Sequence, residues 1–532
     1  MRWKNGLWLL VTGLLVLAGG CHLIVGIRDA EPYPTDASAG AGGTTACTSS
    51  QTQVCYGGSE QTEGVGVCKS GTQTCTSEGE WGACEGEILP GTEDCSAPAD
   101  EDCNGYACSE TLWVKQFGVQ STSANPTDVA VDRQTGDIYV TGSFSGALPV
   151  GSDTLDAQSA NNAAFLAKFD GQGTPLWAKQ FGNVNDPPPV NTIGSSVVVD
   201  GQGNVVLVGT ASTAVNLGGD DLPGGVFIGK FAPSGQTIWS QACQTTEYGF
   251  SPPRVAVDPI SNDVVIAGAF AYSAEPVTCG NVSLMGSSDV VVSRFAALDG
   301  SVVFAKEFSS DNGFGAPNDV AVDEQGSILL TGLGKNLNFG GPSLTGGYVA
   351  KLASNGSHVW SKGFGDGVGV ALSLDTAGGL AIAGSGGEAG PLNFGGEDLL
   401  PLGQTDLFVA TLDGLGNHAW SRRFGSPGDN KSSGRDIAID SKGNLAVAGR
   451  VYGNVTIDGT ILAGDGHAFA AKFDVNGVAA WSKTFGRERC YVAFSSLDEL
   501  VGACQSTVAA DFGKGLATPA GESDLFLLKI AP

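Results

Sequence analysis

From residue 110 onward the chain alternates short apolar runs with polar turns, and the runs come in pairs. The first pair is Asp128-Val129-Ala130-Val131-Asp132 and Ile138-Tyr139-Val140-Thr141-Gly142, joined through Gly136. Apolar runs of this length around a Gly-containing turn predict a β-hairpin. A second hairpin follows, Phe165-Leu166-Ala167-Lys168-Phe169 and Leu176-Trp177-Ala178-Lys179-Gln180-Phe181, turning at Gly173. Counterparts of the first begin near Val197, Val255, Asp319, Ala371, Asp436 and Tyr491; those of the second have strands near Phe227, Val291, Tyr348, Phe408 and Phe469.

One aromatic marks each unit. Trp113, Trp177, Trp239, Phe304, Trp360, Trp420 and Trp481 recur at intervals of 64, 62, 65, 56, 60 and 61 residues. A period on this scale outranks local propensity, and seven anchors predict seven four-stranded units. The last unit stops after Leu525-Phe526-Leu527-Leu528-Lys529-Ile530, one strand short, while the region opens with an extra strand, Leu112-Trp113-Val114-Lys115-Gln116-Phe117. Each supplies what the other lacks, with Trp113 expected beside Phe526. Such units closing head to tail bury both sheet faces and remove long exposed edges. The expected fold is therefore all-β: a seven-bladed β-propeller over 110–532, its last blade closed by the N-terminal strand.

The aspartate-containing first strand, the Phe-x-Ala-Lys-Phe block and the Trp-x-Lys-x-Phe-Gly block resemble the bacterial seven-bladed β-propeller repeat family, a likeness that runs over residues 110–532. Two cysteine pairs fit that layout. Cys490 and Cys504 are symmetric about Leu497, so a hairpin turning there sets them face to face. Cys243 ends the fourth strand of the second blade and Cys279 lies in the long connection of the third, a bridge between neighbours. Each bridge is expected to contribute ~2–4 kcal/mol.

Ahead of the repeats the pattern changes. Arg2 and Lys4 precede an apolar run from Leu7 to Ala18 and then Gly19-Gly20-Cys21, the layout of a signal peptide over 1–20 and too short for a comfortable membrane span. Leu17-Ala18-Gly19-Gly20-Cys21 resembles a bacterial lipoprotein cleavage box, which implies lipidation at Cys21. His22, where such lipoproteins often carry an inner-membrane retention Asp, implies the outer membrane. Residues 21–46 then read as the lipidated cysteine and a flexible Pro/Gly/Ala/Ser tether.

Eight of the thirteen cysteines fall at 47, 55, 68, 75, 84, 95, 103 and 108, which predicts a small disulfide-rich module over 47–109. No His and no Cys-x-x-Cys pair lies within it, so zinc spacing is missing. Its end, Asp100-Glu101-Asp102-Cys103-Asn104-Gly105, resembles the cysteine-rich metal-binding motif of secreted bacterial surface proteins. Asp100, Asp102 and Asn104 alternate before a glycine, as oxygen ligands to Ca2+ would. The twelfth position is Thr111 rather than an EF-hand's Glu, and a solvated acidic turn is the alternative.

Composition agrees with many strands and turns: Gly 81, Met 2, charged residues 15%. Net charge is −28, from 27 basic against 55 acidic side chains, which disfavours nucleic acid and anionic headgroups as partners. The membrane is then reached through the lipid anchor, and a monomer is expected.

Candidate chemistry is sparse. Asp132, Asp200, Asp258, Asp323, Asp375 and Asp440, with Ser495 in the seventh unit, end the first strands just before a turn and read as turn caps. The four histidines join no constellation; His358 and His418 occupy equivalent positions before an anchor Trp, and His467 is placed at the start of a strand. Asp170-Gly171-Gln172-Gly173-Thr174-Pro175-Leu176-Trp177 is faintly similar to the sialidase aspartate box and to the tryptophan motif of quinoprotein dehydrogenases, with the wrong spacing for each. No catalytic residue and no required cofactor is assigned.

Strand alternation puts the longer connections on one rim, where function concentrates on such scaffolds. There the inter-unit segments contribute Asp186, Glu247, Asp311, Asp366 and Asp429, a candidate acidic ring for a cation or basic ligand, with scattered solvated acids as the alternative. The reading is a non-catalytic outer-membrane lipoprotein, on the cell-surface or periplasmic face, that binds a protein or glycan at this rim. A structural assembly scaffold and a propeller enzyme of glycosidase or lyase type are the alternatives.

Overall fold

The computed structural model describes residues 47–59, 62–91, 99, 101, 103, 110–157, 162–182, 191–244, 252–269, 276–284, 290–311, 315–428 and 430–532. No helix among them is long and apolar enough to cross a membrane. The chain divides into two compact units, Met1–Cys55 with Thr72–Glu85, and Tyr56–Gly71 with Gly86–Pro532. In the first, Cys47 is bonded to Cys75 and Cys55 to Cys84. In the second, Cys68 is bonded to Cys103. Cys95 and Cys108 lie outside the described residues, as do Cys21, Asp100, Asp102 and Asn104.

The larger unit is all-β. Ser123–Val131, Ile138–Ser145, Ala163–Phe169 and Pro175–Phe181 form an antiparallel quartet in sequence order. The same order repeats from first strands Thr192–Val199, Arg254–Val257, Gly315–Val322, Gly367–Leu374 and Lys431–Ile439. The final quartet joins Arg489–Phe494, Leu500–Ser506 and Asp524–Ile530 to Thr111–Phe117 from the other end of the domain. Its register differs from the expected one. A shift between Thr111 and Trp113 pairs Trp113 with Lys529 and Gln116 with Phe526, so Trp113 does not stand beside Phe526.

Each first strand neighbours the next, and Arg489–Phe494 returns to Ser123–Val131. The apolar core is divided in the same way. One cluster joins Val129, Ile138 and Phe165 to Tyr491, Val501 and Leu527, and six others join successive quartets. Third strands such as Ala163–Phe169 and Gly225–Phe231 are therefore buried along their whole length, because both faces meet a neighbour. Such strands read as continuous apolar runs rather than alternating ones.

The anchor aromatics fasten one quartet to the following one. Trp239 lies over Gly300 in the next third-to-fourth-strand turn, where a Cβ would fall 2.6 Å from the ring, and Trp420 lies over Gly477 at 2.7 Å. Trp177 and Trp239 donate their indole N–H to Pro233 O at 3.1 Å and Ala297 O at 3.1 Å in those turns.

The second-to-third connections depart from the sequence expectation. They begin and end at the long-connection rim, but in several quartets they form ribbons laid along the fourth strand rather than open loops. Examples are Ala147–Val150 with Asp153–Asp156, Val215–Asn216 with Asp221–Leu222, and Ala510–Asp511 with Leu516–Ala517. Gly151 meets Pro175, Gly218 meets Thr237, and Gly513 meets Thr111 at the start of the fourth strand. Covering an edge strand in this way removes an aggregation-prone template.

The disulfides follow the same logic. Cys490 and Cys504 are cross-strand partners bonded within the last quartet, Cα atoms 4.1 Å apart. Cys243 is bonded to Cys279, which sits on a ribbon of the third quartet that pairs with the second quartet's fourth strand.

Candidate functional site

Seven equivalent first-strand positions converge on the axis of the larger unit: Asp128, Ser196, Arg254, Asp319, Ala371, Asp436 and Tyr491, all lining one polar cavity of about 110 Å³. In five quartets a β-bulge immediately precedes this position, as between Pro126 and Asp128 or Gly434 and Asp436. A bulge re-aims the side chain that follows it.

The three aspartates make the same pair of bonds. Asp128 accepts the N–H of Val129 at 2.8 Å and of Val197, in the next quartet, at 2.9 Å. Asp319 accepts Val320 N–H at 2.9 Å and Leu372 N–H at 2.8 Å. Asp436 accepts Ile437 N–H at 2.9 Å and Val492 N–H at 2.7 Å. Each carboxylate thus ties its own strand to the neighbouring one. Arg254 spans further, donating to Asn318 O at 2.9 Å and Ser195 O at 3.3 Å, one quartet to either side.

Burial and mutual repulsion set the electrostatics. Burial pushes Asp436 up to about 8, reinforced by Asp128 and Asp319 across the cavity. Burial also raises Asp319 to about 6 and lifts Asp128, in both cases opposed by Arg254. Two carboxyls of unequal acidity are what a glycosidase requires. A cavity of about 110 Å³ holds only a few waters, however, well below the several hundred Å³ of a typical ligand site.

At the opposite, short-turn end, the strand-ending acids cap their turns. Asp200 accepts Gln202 N–H at 2.9 Å and Asn204 N–H at 2.8 Å; Asp440 accepts Lys442 N–H at 2.9 Å and Asn444 N–H at 2.8 Å; Ser495 accepts Glu499 N–H at 3.2 Å. A cation from the third strand meets an acid of the first hairpin. Lys230 reaches Asp200 at 2.8 Å, Lys351 reaches Asp323 at 2.8 Å, Lys472 reaches Asp440 at 3.3 Å, and Arg294 pairs with Asp258. In the first and last quartets the acid stands in the turn instead: Lys168 with Asp137 at 2.7 Å and Lys529 with Glu499 at 2.7 Å. Only the fifth quartet departs, placing Thr411 at that position.

Of the proposed acidic ring, Asp186, Glu247 and Asp429 lie outside the described residues. Asp311 and Asp366 are both exposed, and Asp311 accepts a bond from Asn336. What the sequence reading did not single out is basic. Arg435 sits at the bulge of the sixth first strand and lines the axial cavity beside Tyr491, close to Arg450 and Arg489; burial first, then those two cations, opposed by Tyr491, holds it below the usual arginine range. Arg450 pairs with Glu488 at 3.2 Å. The signal was weak because these arginines stand scattered over 55 residues of sequence.

His358 and His418 occupy equivalent places, bonded to Ser361 at 3.1 Å and Ser421 at 3.0 Å, with no second titratable partner in those bonds. His467 lies inside Thr460–Phe473 rather than at a strand start, because that quartet's ribbon is continuous with its third strand. No group of three or more His, Cys, Asp or Glu able to hold a metal occurs among the described residues.

Residues 112–143 match the family model described as a beta-propeller repeat. No curated protein sequence is a significant match. Among solved structures the chain is similar to U3-55K, at 10% identity and TM-score 0.47 over 79% of this chain and 99% of that one. It is also similar to BamB from Moraxella catarrhalis, at 10% identity and TM-score 0.32 over 78% and 99%. A quinohemoprotein alcohol dehydrogenase from Comamonas testosteroni is similar at 9% identity and TM-score 0.36, over 79% and 76%.

Proposed function

We propose that this protein is an exported lipoprotein, anchored to the outer membrane through Cys21, whose quartets are the blades of one closed seven-bladed β-propeller serving as a non-catalytic binding module. The circuit of first strands and the apolar clusters between successive quartets support seven closed blades. The observation that carries the functional reading is the axial cavity. Its aspartates are engaged by backbone N–H groups of two blades each, and its volume of about 110 Å³ admits no sugar or peptide. Recognition then belongs to the long-connection rim, where Arg450 and Arg489, close to the cavity-lining Arg435, favour a protein or glycan carrying acidic groups.

A glycan-array and pull-down screen with the mature chain tests this. The expected result is a saturable ligand whose binding is lost in the Arg450→Gln, Arg489→Gln double variant. Turnover of any glycan by the wild-type chain would overturn the non-catalytic reading. Protease shaving of intact cells locates it: clipping within residues 28–46 marks a displayed binder, and protection marks a periplasmic one.

A further inference from the structure

Six of the seven third strands carry a lysine or arginine that meets an acid of its own first hairpin, and four of these also reach a backbone carbonyl in the next blade's turn. Lys230 pairs with Asp200 at 2.8 Å and donates to Ala297 O at 3.2 Å, the carbonyl that also accepts the indole N–H of Trp239 at 3.1 Å. Lys351 repeats the arrangement with Asp323 at 2.8 Å and Gly414 O at 3.2 Å. The fifth blade has the acid, Asp375, and the indole: Trp420 donates to Val475 O at 2.9 Å. The cation is replaced by Thr411, whose hydroxyl turns back to Trp420 O at 3.4 Å.

The consequence is a pocket. Between the fifth and sixth blades at the short-turn end lies an open cavity of about 520 Å³, bounded by Asp375 and Thr411 on one side, Val475 on the other, and floored by Leu380, Leu412 and Trp420. Asp375 accepts the N–H groups of Ala377 and Gly379 through Oδ1, both at 2.8 Å, which leaves Oδ2 with no ion pair among the described residues. Lys442, the cation of the lining, is exposed and makes no ion pair with Asp375 among the described residues.

We infer that this pocket binds an alkylammonium group, with the guest nitrogen set between Asp375 Oδ2 and Val475 O as Lys230 Nζ is set between Asp200 and Ala297 O. The warrant is internal, since the chain's own lysines fill the equivalent place in neighbouring blades. The apolar floor suits a polymethylene stem, which a lysine side chain or a free diamine supplies. The site is at the face opposite the rim proposed above and does not depend on that reading.

Ligand-observed NMR on the full chain tests it with 1,5-diaminopentane, Nα-acetyl-lysine amide and the uncharged Nα-acetyl-norleucine amide. Saturable binding of an amine and not of the norleucine probe is expected; which amine binds distinguishes a free diamine from a peptide lysine. Asp375→Asn, which keeps the turn-capping oxygen, should weaken binding about tenfold or more. Thr411→Lys should abolish binding while raising the melting temperature, because the new side chain takes the guest's place. Failure of wild type to bind either amine, or binding unchanged in both variants, overturns the inference.

Discussion

The indole of Trp113 lies over Gly173, so that a Cβ on the glycine would fall 2.8 Å from the ring. Trp113 belongs to the fourth strand of the last quartet and Gly173 to a turn of the first. This contact is the aromatic fastening at the point where the two ends of the domain meet, and it repeats the Trp239 with Gly300 and Trp420 with Gly477 contacts elsewhere. Gly173 also has φ +73, which disfavours any side chain.

Gly173→Ala should therefore lower stability by roughly 1–3 kcal/mol, through overpacking and a left-handed backbone together. Thermal denaturation checks it, with Gly387→Ala as a control, since a Cβ at Gly387 meets open space.

Removing Thr111–Phe117 should open the circuit. Asp524–Ile530 would lose its partner strand, and the cluster containing Phe117 and Leu525 would face water. A marked fall in melting temperature is expected, with greater protease sensitivity in the final quartet. An unchanged melt would refute closure.

Lys230 and Asp200 are both buried, with side-chain exposures of 3% and 0%. Lys230→Met leaves the carboxylate without its cation and should cost ~3–5 kcal/mol, whereas Lys230→Met with Asp200→Asn should recover part of that loss. Chemical denaturation of the two variants beside wild type measures the difference.

The axial aspartates predict an unusual pH dependence. A carboxyl whose folded pKa is raised, as Asp436 is to about 8 through burial, binds its proton more tightly in the folded state than in the unfolded one. Its contribution is fully present below the unfolded value near 4 and is lost as pH climbs through the folded value. Asp319, raised to about 6, acts in the same direction. The melting temperature of wild type should thus decline between pH 5 and 8 by more than that of Asp436→Ser, a residue the second quartet already carries at this position as Ser196.

Several features were legible because local chemistry dictates them. Asp440 must cap a turn wherever a first strand ends two residues before an N–H that needs an acceptor, and the symmetric spacing of Cys490 and Cys504 admits few hairpin registers. Other features were not. The stem of Gly151 looks like any turn until it is found against Pro175, and the arginines at 435, 450 and 489 acquire meaning only when the sixth and seventh quartets bring them together.

The amino-acid sequence by itself determined the strand quartets, their number and the terminal strand that completes the last one, because apolar periodicity and turn residues act over a few positions at a time. The tertiary structure decided the register of Trp113, the use of the connecting ribbons as edge covers, the axial assembly of Asp128, Asp319 and Asp436, and the pocket left by Thr411. Those depend on which side chains from distant repeats share one small volume, and burial there sets charge and hydrogen bonding in ways that spacing along the chain does not encode.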